Sequence, residues 1–195
     1  MMNGRSHMII GTAASLLLLP KMGYEVNLLT STAAALGSLI PDIDHPRALI
    51  NQKLLFKKNK EGKTIFYCTG GGILLYKGFE SFSKSMIFLG VLLILIGLSK
   101  HRTFTHSLGG VLGISYCIFF LFNKQMIMDN ITYATIIGVI SHLVCDFFTK
   151  EGIELFYPLS KKKYSFPFTI TTGSMAESAI NLIFIFIIFN ETILK

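Results

Sequence analysis

The stretch that decides the fold is ITYATIIGVISHLVCDFF, residues 131–148. Within it, only His142 and Asp146 have side chains that are charged or titrate near neutral pH. An apolar run of this length is close to the roughly 20 residues that a helix needs to cross about 30 Å of hydrocarbon. Ionisable side chains in such a segment are costly and are usually kept for function. The stretch therefore predicts a membrane helix that holds a functional His/Asp pair.

The composition of the whole chain agrees with a membrane protein. Of the 195 residues, 51% are hydrophobic and 15% are charged, against about 25% charged in an ordinary soluble domain. The mean hydropathy of +0.57 disfavours a water-soluble protein and excludes a disordered chain, a coiled coil and a disulfide scaffold. We predict an all-α integral membrane bundle of about five to seven short helices. The other apolar segments are 8–19, 26–40, a weaker 65–76, 86–98, 108–122 and 178–189.

Helix boundaries are marked in several places. Pro41 ends the second segment because proline cannot continue the helical hydrogen bonds, and Ser174–Glu177 predicts a capping box that opens the last helix. The first segment could be a signal peptide with Arg5 as its basic flank. No small-x-small cleavage site follows it, so we expect a retained helix. No linker is long enough to divide the chain, and we expect a single domain over 1–195.

The net charge of +7 would suggest nucleic-acid binding in a soluble protein. Here the basic residues lie mostly in short links between apolar segments, so membrane topology explains them better and nucleic acid is disfavoured. The three cysteines have no metal-binding spacing and are expected to be small buried hydrophobic residues.

Histidine and aspartate fall into four clusters along the chain. His142 and Asp146 are four residues apart, so on a helix both can reach one ion. The other clusters are His7, Pro41–His45 (PDIDH) and His101–Ser107 (HRTFTHS). Taken singly, each has an ordinary structural explanation, such as a helix stop or a surface histidine. Four such clusters in a chain with 11 acidic residues predict a shared metal site, because neutral imidazole and ionised carboxylate suit zinc, iron or manganese.

A topological argument supports a common membrane face. If residue 1 faces the cytoplasm and 65–76 and 86–98 form a short hairpin, all four clusters face inward, as does the loop 149–173. That layout puts 13 of the 18 lysines and arginines inside, in agreement with the positive-inside rule. The five on the outer side are Lys21, Lys77, Lys84, Lys124 and Lys195.

These motifs, in this order, resemble the YdjM family, LexA-regulated bacterial inner-membrane proteins described as metal-dependent hydrolases. The resemblance rests on His7, PDIDHP (41–46), HRTFTHS (101–107), SHLVCDFFTKEGIELFYP (141–158) and Gly173-x-x-x-Glu177. It implies a multi-pass protein of the cytoplasmic (inner) membrane. The family pattern has a shorter link between PDIDH and HRxxTHS, so 59–99 is expected to be an insertion with a hydrophobic hairpin. More distantly, the His and Asp pattern is similar to the zinc phospholipase C and S1/P1 nuclease group.

By resemblance and by chemistry, the expected metal ligands are His7, Asp44, His101, His106, His142 and Asp146. So many groups suggest two ions, with Zn expected first and Mn or Fe as alternatives. The expected catalytic candidates are Asp42, Arg102 and Glu177. Each of these three has a second explanation: Asp42 as a ligand or orienting partner, Arg102 as a topogenic charge, and Glu177 as a helix cap. His45 is not expected to be a ligand, and Thr105 and Ser107 are not expected to be nucleophiles.

Two classes of function follow from these residues. The first is a membrane-bound metal-dependent hydrolase, like a phosphoesterase or phospholipase, that uses metal-activated water. Its partners would be membrane lipids and a lipid-linked or phosphorylated substrate at the inner face. The alternative is a non-catalytic membrane protein that binds or transports a metal. A transporter usually places its ionisable residues near the bilayer midplane, whereas these lie at helix ends, which favours the enzyme.

Overall fold

The computed structural model describes residues 2–122 and 129–193. Within these ranges the chain is all-α, with eight α-helices and no β-strand. The helices are α1 (Gly4–Leu18), α2 (Leu28–Gly37), α3 (Asn51–Leu54), α4 (Lys60–Glu80), α5 (Lys84–Leu98), α6 (Leu108–Phe122), α7 (Asp129–Phe147) and α8 (Met175–Ile193). Three short 3₁₀ turns cover Pro20–Met22, Pro41–Asp44 and Phe104–His106. The all-α prediction is confirmed.

The helix count exceeds the expected five to seven because α3 is a single polar turn that no apolar segment marks. The weak segment 65–76 extends to the whole of α4, since Asn59 caps the helix by accepting a hydrogen bond from the Gly62 N–H at 2.8 Å. Lys124 and Lys195, both assigned to the outer side, lie outside the described residues.

The chain divides into two compact units. The described part of the first comprises residues 2–40, 122, 129–153 and 163–193, with helices α1, α2, α7 and α8. Helix α7 packs against α1 and α2, and α1 also packs against α8. Gly138 lets α7 approach the backbone of α2 closely, because a side chain there would meet the carbonyl of Ala34. Such small-residue contacts are typical of membrane helix pairs.

Two helices of this first unit, α7 and α8, are long and apolar enough to cross a membrane. Helix α8 leaves large apolar side chains uncovered, including Leu182 at 67% and Phe186 at 68% exposure. A helix that is apolar on its uncovered face is suited to lipid rather than water. The loop 149–173 is ordered by backbone bridges, Thr149 with Ile170 and Ile153 with Tyr164.

The second unit comprises residues 41–121 and 154–162. The region predicted as an apolar hairpin, 59–99, forms α4, a short turn and α5, which pack against each other. Gly71 and Gly90 face each other across this pair, and a Cβ on Gly71 would lie 2.6 Å from the Gly90 carbonyl oxygen. Glycine at both positions therefore permits the close approach of the two backbones. Helix α6 contacts α5 through the rings of Tyr116 and Phe88, whose centroids are 5.1 Å apart.

Candidate metal centres

The first unit contains a fully buried group of two histidines and one aspartate, which we call the His7 cluster: His7, His142 and Asp146. His7 lies in the first turns of α1, and His142 and Asp146 lie one turn apart near the end of α7. The rings of His7 and His142 stack at a centroid distance of 3.8 Å. The packing of α1 on α7 thus joins residues that are more than a hundred positions apart in sequence.

Distances within the His7 cluster suit ligands of one ion. His7 Nε2 lies 3.5 Å from Asp146 Oδ1, and His142 Nε2 lies 3.8 Å from Asp146 Oδ2. Separations of 3.5 and 3.8 Å exceed an ordinary N–H···O hydrogen bond of about 2.7–3.2 Å. They are close to the spacing of two ligand atoms that each lie about 2 Å from a common ion.

The tautomer of His142 follows from its hydrogen bond. Its Nδ1 lies 2.6 Å from the carbonyl oxygen of Ser38, the residue directly after α2. Because a carbonyl only accepts, Nδ1 must carry the proton, and in a neutral imidazole this leaves the lone pair on Nε2. A backbone carbonyl that fixes the ring in this way is typical of metal-binding histidines.

His7 supplies a second, independent indication. Its ring is fully buried, and neither Nδ1 nor Nε2 has a hydrogen-bond partner among the described residues. Buried polar atoms are nearly always hydrogen-bonded, and an exception in a native protein points to strain, catalysis or an absent ion or water. Since Nε2 faces Asp146, the donor set of the cluster fits a divalent ion.

The second unit contains the Asp44 cluster: Asp44, His101 and His106. Asp44 lies in the 3₁₀ turn Pro41–Asp44 and is buried. One carboxylate oxygen, Oδ1, accepts a hydrogen bond from His101 Nδ1 at 2.7 Å. The other, Oδ2, accepts from the Thr105 hydroxyl at 2.6 Å and from the Arg102 backbone N–H at 3.2 Å. Asp44 therefore orients the loop that carries both histidines.

Burial raises the pKa of Asp44, but the imidazoles of His106 and His101 more than offset this effect. Together they hold the pKa of this carboxyl well below its usual range. Asp44 is thus a carboxylate at neutral pH, as its hydrogen bonds to donors require.

His106 is fixed through Thr105. The Thr105 hydroxyl donates to Asp44, so at its 2.9 Å contact with His106 Nδ1 it acts as the acceptor. His106 Nδ1 therefore carries the proton, and Nε2 lies 3.7 Å from Asp42 Oδ1. At this distance Asp42 and His106 could share an ion, which is one of the roles expected for Asp42. Thr105 is a buried hydrogen-bond relay between Asp44 and His106.

Arg102 occupies a strained position beside Asp44. Its φ is +64°, in the left-handed region that residues other than glycine rarely adopt. This conformation directs the Arg102 N–H at Asp44, and strain of this kind of about 1–3 kcal/mol persists only where the surroundings impose it. Arg102 is buried, with 4% of its surface exposed.

Glu177 lies in the first unit, at the start of α8. Its carboxylate accepts hydrogen bonds from the Asn3 N–H (2.9 Å), the Ser6 hydroxyl (2.6 Å) and the Gly173 N–H (2.6 Å). The predicted cap is present in part, since Ser174 Oγ accepts from the Glu177 N–H at 3.3 Å. These contacts join the start of α8 to the start of α1, one residue before His7.

His45 is partly buried, and its Nδ1 accepts from the Arg47 N–H at 3.2 Å.

Sequence reasoning did not identify the groups that hold the ligands in place. The Ser38 carbonyl has no sequence signal, because any residue could supply it. Asn51, fully buried behind the Pro41–Asp44 turn, gives no sequence signal either, because the polar residues Gln52 and Lys53 follow it. Two expectations stay predictions: that all clusters share one membrane face, and that the site holds two metal ions.

Fold and site together define an integral membrane helical bundle with buried His/Asp clusters that could hold metal ions. The chain belongs to the YdjM inner membrane protein family, whose sequence profile matches residues 1–193. The resemblance and the inner-membrane location are thereby confirmed. The chain is 28% identical over 179 residues to "Uncharacterized protein YvsG" of Bacillus subtilis (strain 168), covering 92% of this chain and 87% of that protein. No solved structure matches it.

Proposed function

We propose that this protein is a membrane-bound metal-dependent hydrolase. The observation that carries the proposal is the His7 cluster, two imidazoles and a carboxylate in a fully buried position. The cluster contains no thiolate, and imidazole with carboxylate is a set of ligands that zinc, manganese or iron take in proteins. Zinc is the first expectation. Two ions are proposed, one for each cluster.

The residues of the two clusters divide the work. His7, His142 and Asp146 would hold one ion, and His101, His106 and Asp44 the other, with Asp42 directed at His106. A divalent ion in such a site lowers the pKa of a bound water toward neutrality and polarises a phosphoryl oxygen. Asp44, Thr105 and the Ser38 carbonyl accept from Nδ1 of the imidazoles and so fix the orientation of the rings. The Arg102 guanidinium, two residues from the 3₁₀ turn of His106, is proposed to hold a substrate phosphate oxygen.

The proposed substrate is a phosphoester or lipid-linked molecule presented at the inner face of the membrane. The exposed lysines of the ordered loop, Lys161 to Lys163, favour an anionic surface. Basic residues near a membrane add about 1 kcal/mol each to binding of anionic lipid. A phosphorylated headgroup would thus be both the attraction and the reacting group.

The alternative is a non-catalytic protein that binds or transports a metal ion. Transport sites usually lie near the bilayer midplane. His142 and Asp146 instead lie in the last two turns of α7, and His7 lies at the start of α1. Ligands at helix ends favour a surface reaction over a passage through the bilayer.

The test uses detergent-purified protein, analysed first for bound metal and then with a panel of phosphoester and lipid substrates. Hydrolysis that is lost with EDTA and restored by Zn²⁺ or Mn²⁺ supports the proposal. Bound metal without hydrolysis of any phosphoester, together with metal uptake into proteoliposomes, supports the transport alternative. Near-zero metal in wild type and His142→Ala alike ends both.

A further inference from the structure

We propose that Tyr67 and Lys63, two side chains of α4, are positioning residues for the Asp44 cluster. This inference rests on the proposed metal site, and it gives a task to the region 59–99. Besides being an apolar hairpin, that region then fixes the two chain segments that carry the cluster, the segment of Asp44 and the segment of His101.

The first contact runs through Asn51. Its side-chain amide donates to the carbonyl oxygens of Ile43 and His45, both at 2.8 Å, so it holds the backbone on each side of Asp44. The amide oxygen of Asn51 accepts from the Tyr67 hydroxyl at 2.6 Å. Asn51 is fully buried and Tyr67 is 5% exposed. Tyr67 thus fixes the amide orientation in which both donors point at the Asp44 turn.

The second contact is made by Lys63, one helical turn before Tyr67 on the same face of α4. Lys63 is 2% exposed, and its Nζ donates to the Ile96 carbonyl at 3.1 Å and the Ser99 carbonyl at 2.7 Å. A cation at the last carbonyls of a helix stabilises that end. Here the helix is α5, and Ser99 lies two residues before His101.

Together, the two contacts determine the geometry of the hydrogen bond between Asp44 and His101. Tyr67 holds the segment of Asp44, and Lys63 holds the segment of His101, while Asp44 Oδ1 and His101 Nδ1 are 2.7 Å apart. Neither Tyr67 nor Lys63 belongs to the group of residues that could ligate an ion. A long lysine that is almost wholly buried against carbonyls is costly to retain for packing alone.

The first experiment needs no metal. Full-length protein labelled with ¹⁵N at histidine is studied by NMR in detergent after treatment with EDTA, with His101→Gln used to assign the His101 signals. We expect Tyr67→Phe and Lys63→Met to shift the His101 Nδ1 signal and to leave His142, bound to the Ser38 carbonyl, unchanged. The matched controls on α4 are Tyr76→Phe, at a tyrosine that is 70% exposed, and Lys77→Met.

The second experiment titrates the same proteins with Co²⁺ and follows its visible absorption. Loss of groups behind the ligands typically weakens metal binding by about 10–100-fold, and we expect about tenfold for Tyr67→Phe with no change for Tyr76→Phe. An unchanged Nδ1 signal in both Tyr67→Phe and Lys63→Met overturns the inference, as does an unchanged Co²⁺ affinity in a protein that binds Co²⁺. If the two variants shift the His101 Nδ1 signal but the wild type binds no Co²⁺, the proposed function is refuted and the positioning role is kept.

Discussion

Replacing His7 by phenylalanine separates metal binding from packing. The ring of His7 is fully buried and stacked on His142 at 3.8 Å, and Phe keeps a ring of similar volume there. Volume-conserving core substitutions usually cost less than about 1.5 kcal/mol. The ring nitrogens of His7 make no hydrogen bond with the described residues, so none is lost. Without metal, His7→Phe should therefore unfold within about 1.5 kcal/mol of wild type.

The metal-dependent stabilisation should behave differently. At a free ion concentration about 100 times its Kd, one bound ion stabilises the wild type by about 2.7 kcal/mol. Loss of a ligand should weaken that site by at least about 100-fold, the upper range for groups that merely support ligands. At the same ion concentration the gain falls to about 0.4 kcal/mol or less. Any contribution of the Asp44 cluster is common to both proteins and cancels.

The assay is denaturant unfolding in mixed micelles, with EDTA and with Zn²⁺, beside elemental analysis of metal per chain. The control is His45→Phe, at a partly buried histidine whose Nδ1 accepts from the Arg47 N–H. It should retain the full metal-dependent gain. If His7→Phe bound as much metal as wild type and gained the same free energy from it, the assignment of His7 as a ligand would be wrong.

Three further predictions concern the two clusters, the membrane topology and the loop 149–173. Asp44→Asn should abolish turnover and lower metal content, because an amide cannot accept from both His101 and Thr105. Glu177→Gln should keep metal content near normal and lose about 1–3 kcal/mol of stability, because the amide leaves the Gly173 N–H without an acceptor. In a cysteine-free background, an impermeant thiol reagent applied to intact cells should fail to label single cysteines at three exposed positions, Arg47, Lys100 and Lys162; ready labelling at 47 or 162 would overturn the inward layout. Neutralising Lys161–Lys163 should raise KM on anionic vesicles with little change in kcat. If the wild type had equal KM on neutral and anionic vesicles, these lysines would not attract the enzyme to anionic lipid and the prediction would be wrong.

The part of the site that depends on local spacing was predictable from the sequence. His142 and Asp146 share a helix face because four residues make about one turn, and the cost of ionisable groups in apolar segments singled out the remaining clusters. The supporting contacts were not predictable. The Ser38 carbonyl and the Tyr67–Asn51 pair meet their partners only through tertiary packing, and neither leaves a periodic signal. The fold class followed from hydropathy, while α3 did not, since one polar turn has no apolar face to detect.

Three histidines of the two clusters share one protonation pattern. His101 Nδ1 donates to the Asp44 carboxylate, His106 Nδ1 to the Thr105 hydroxyl and His142 Nδ1 to the Ser38 carbonyl. The acceptors differ in chemistry and come from different parts of the chain, so no repeated motif accounts for the agreement. The three contacts have one consequence in common: whenever the imidazole is neutral, its lone pair is on Nε2. For histidines that only fill a core, either nitrogen would serve as donor; for metal ligands that bind through Nε2, Nδ1 must be the donor.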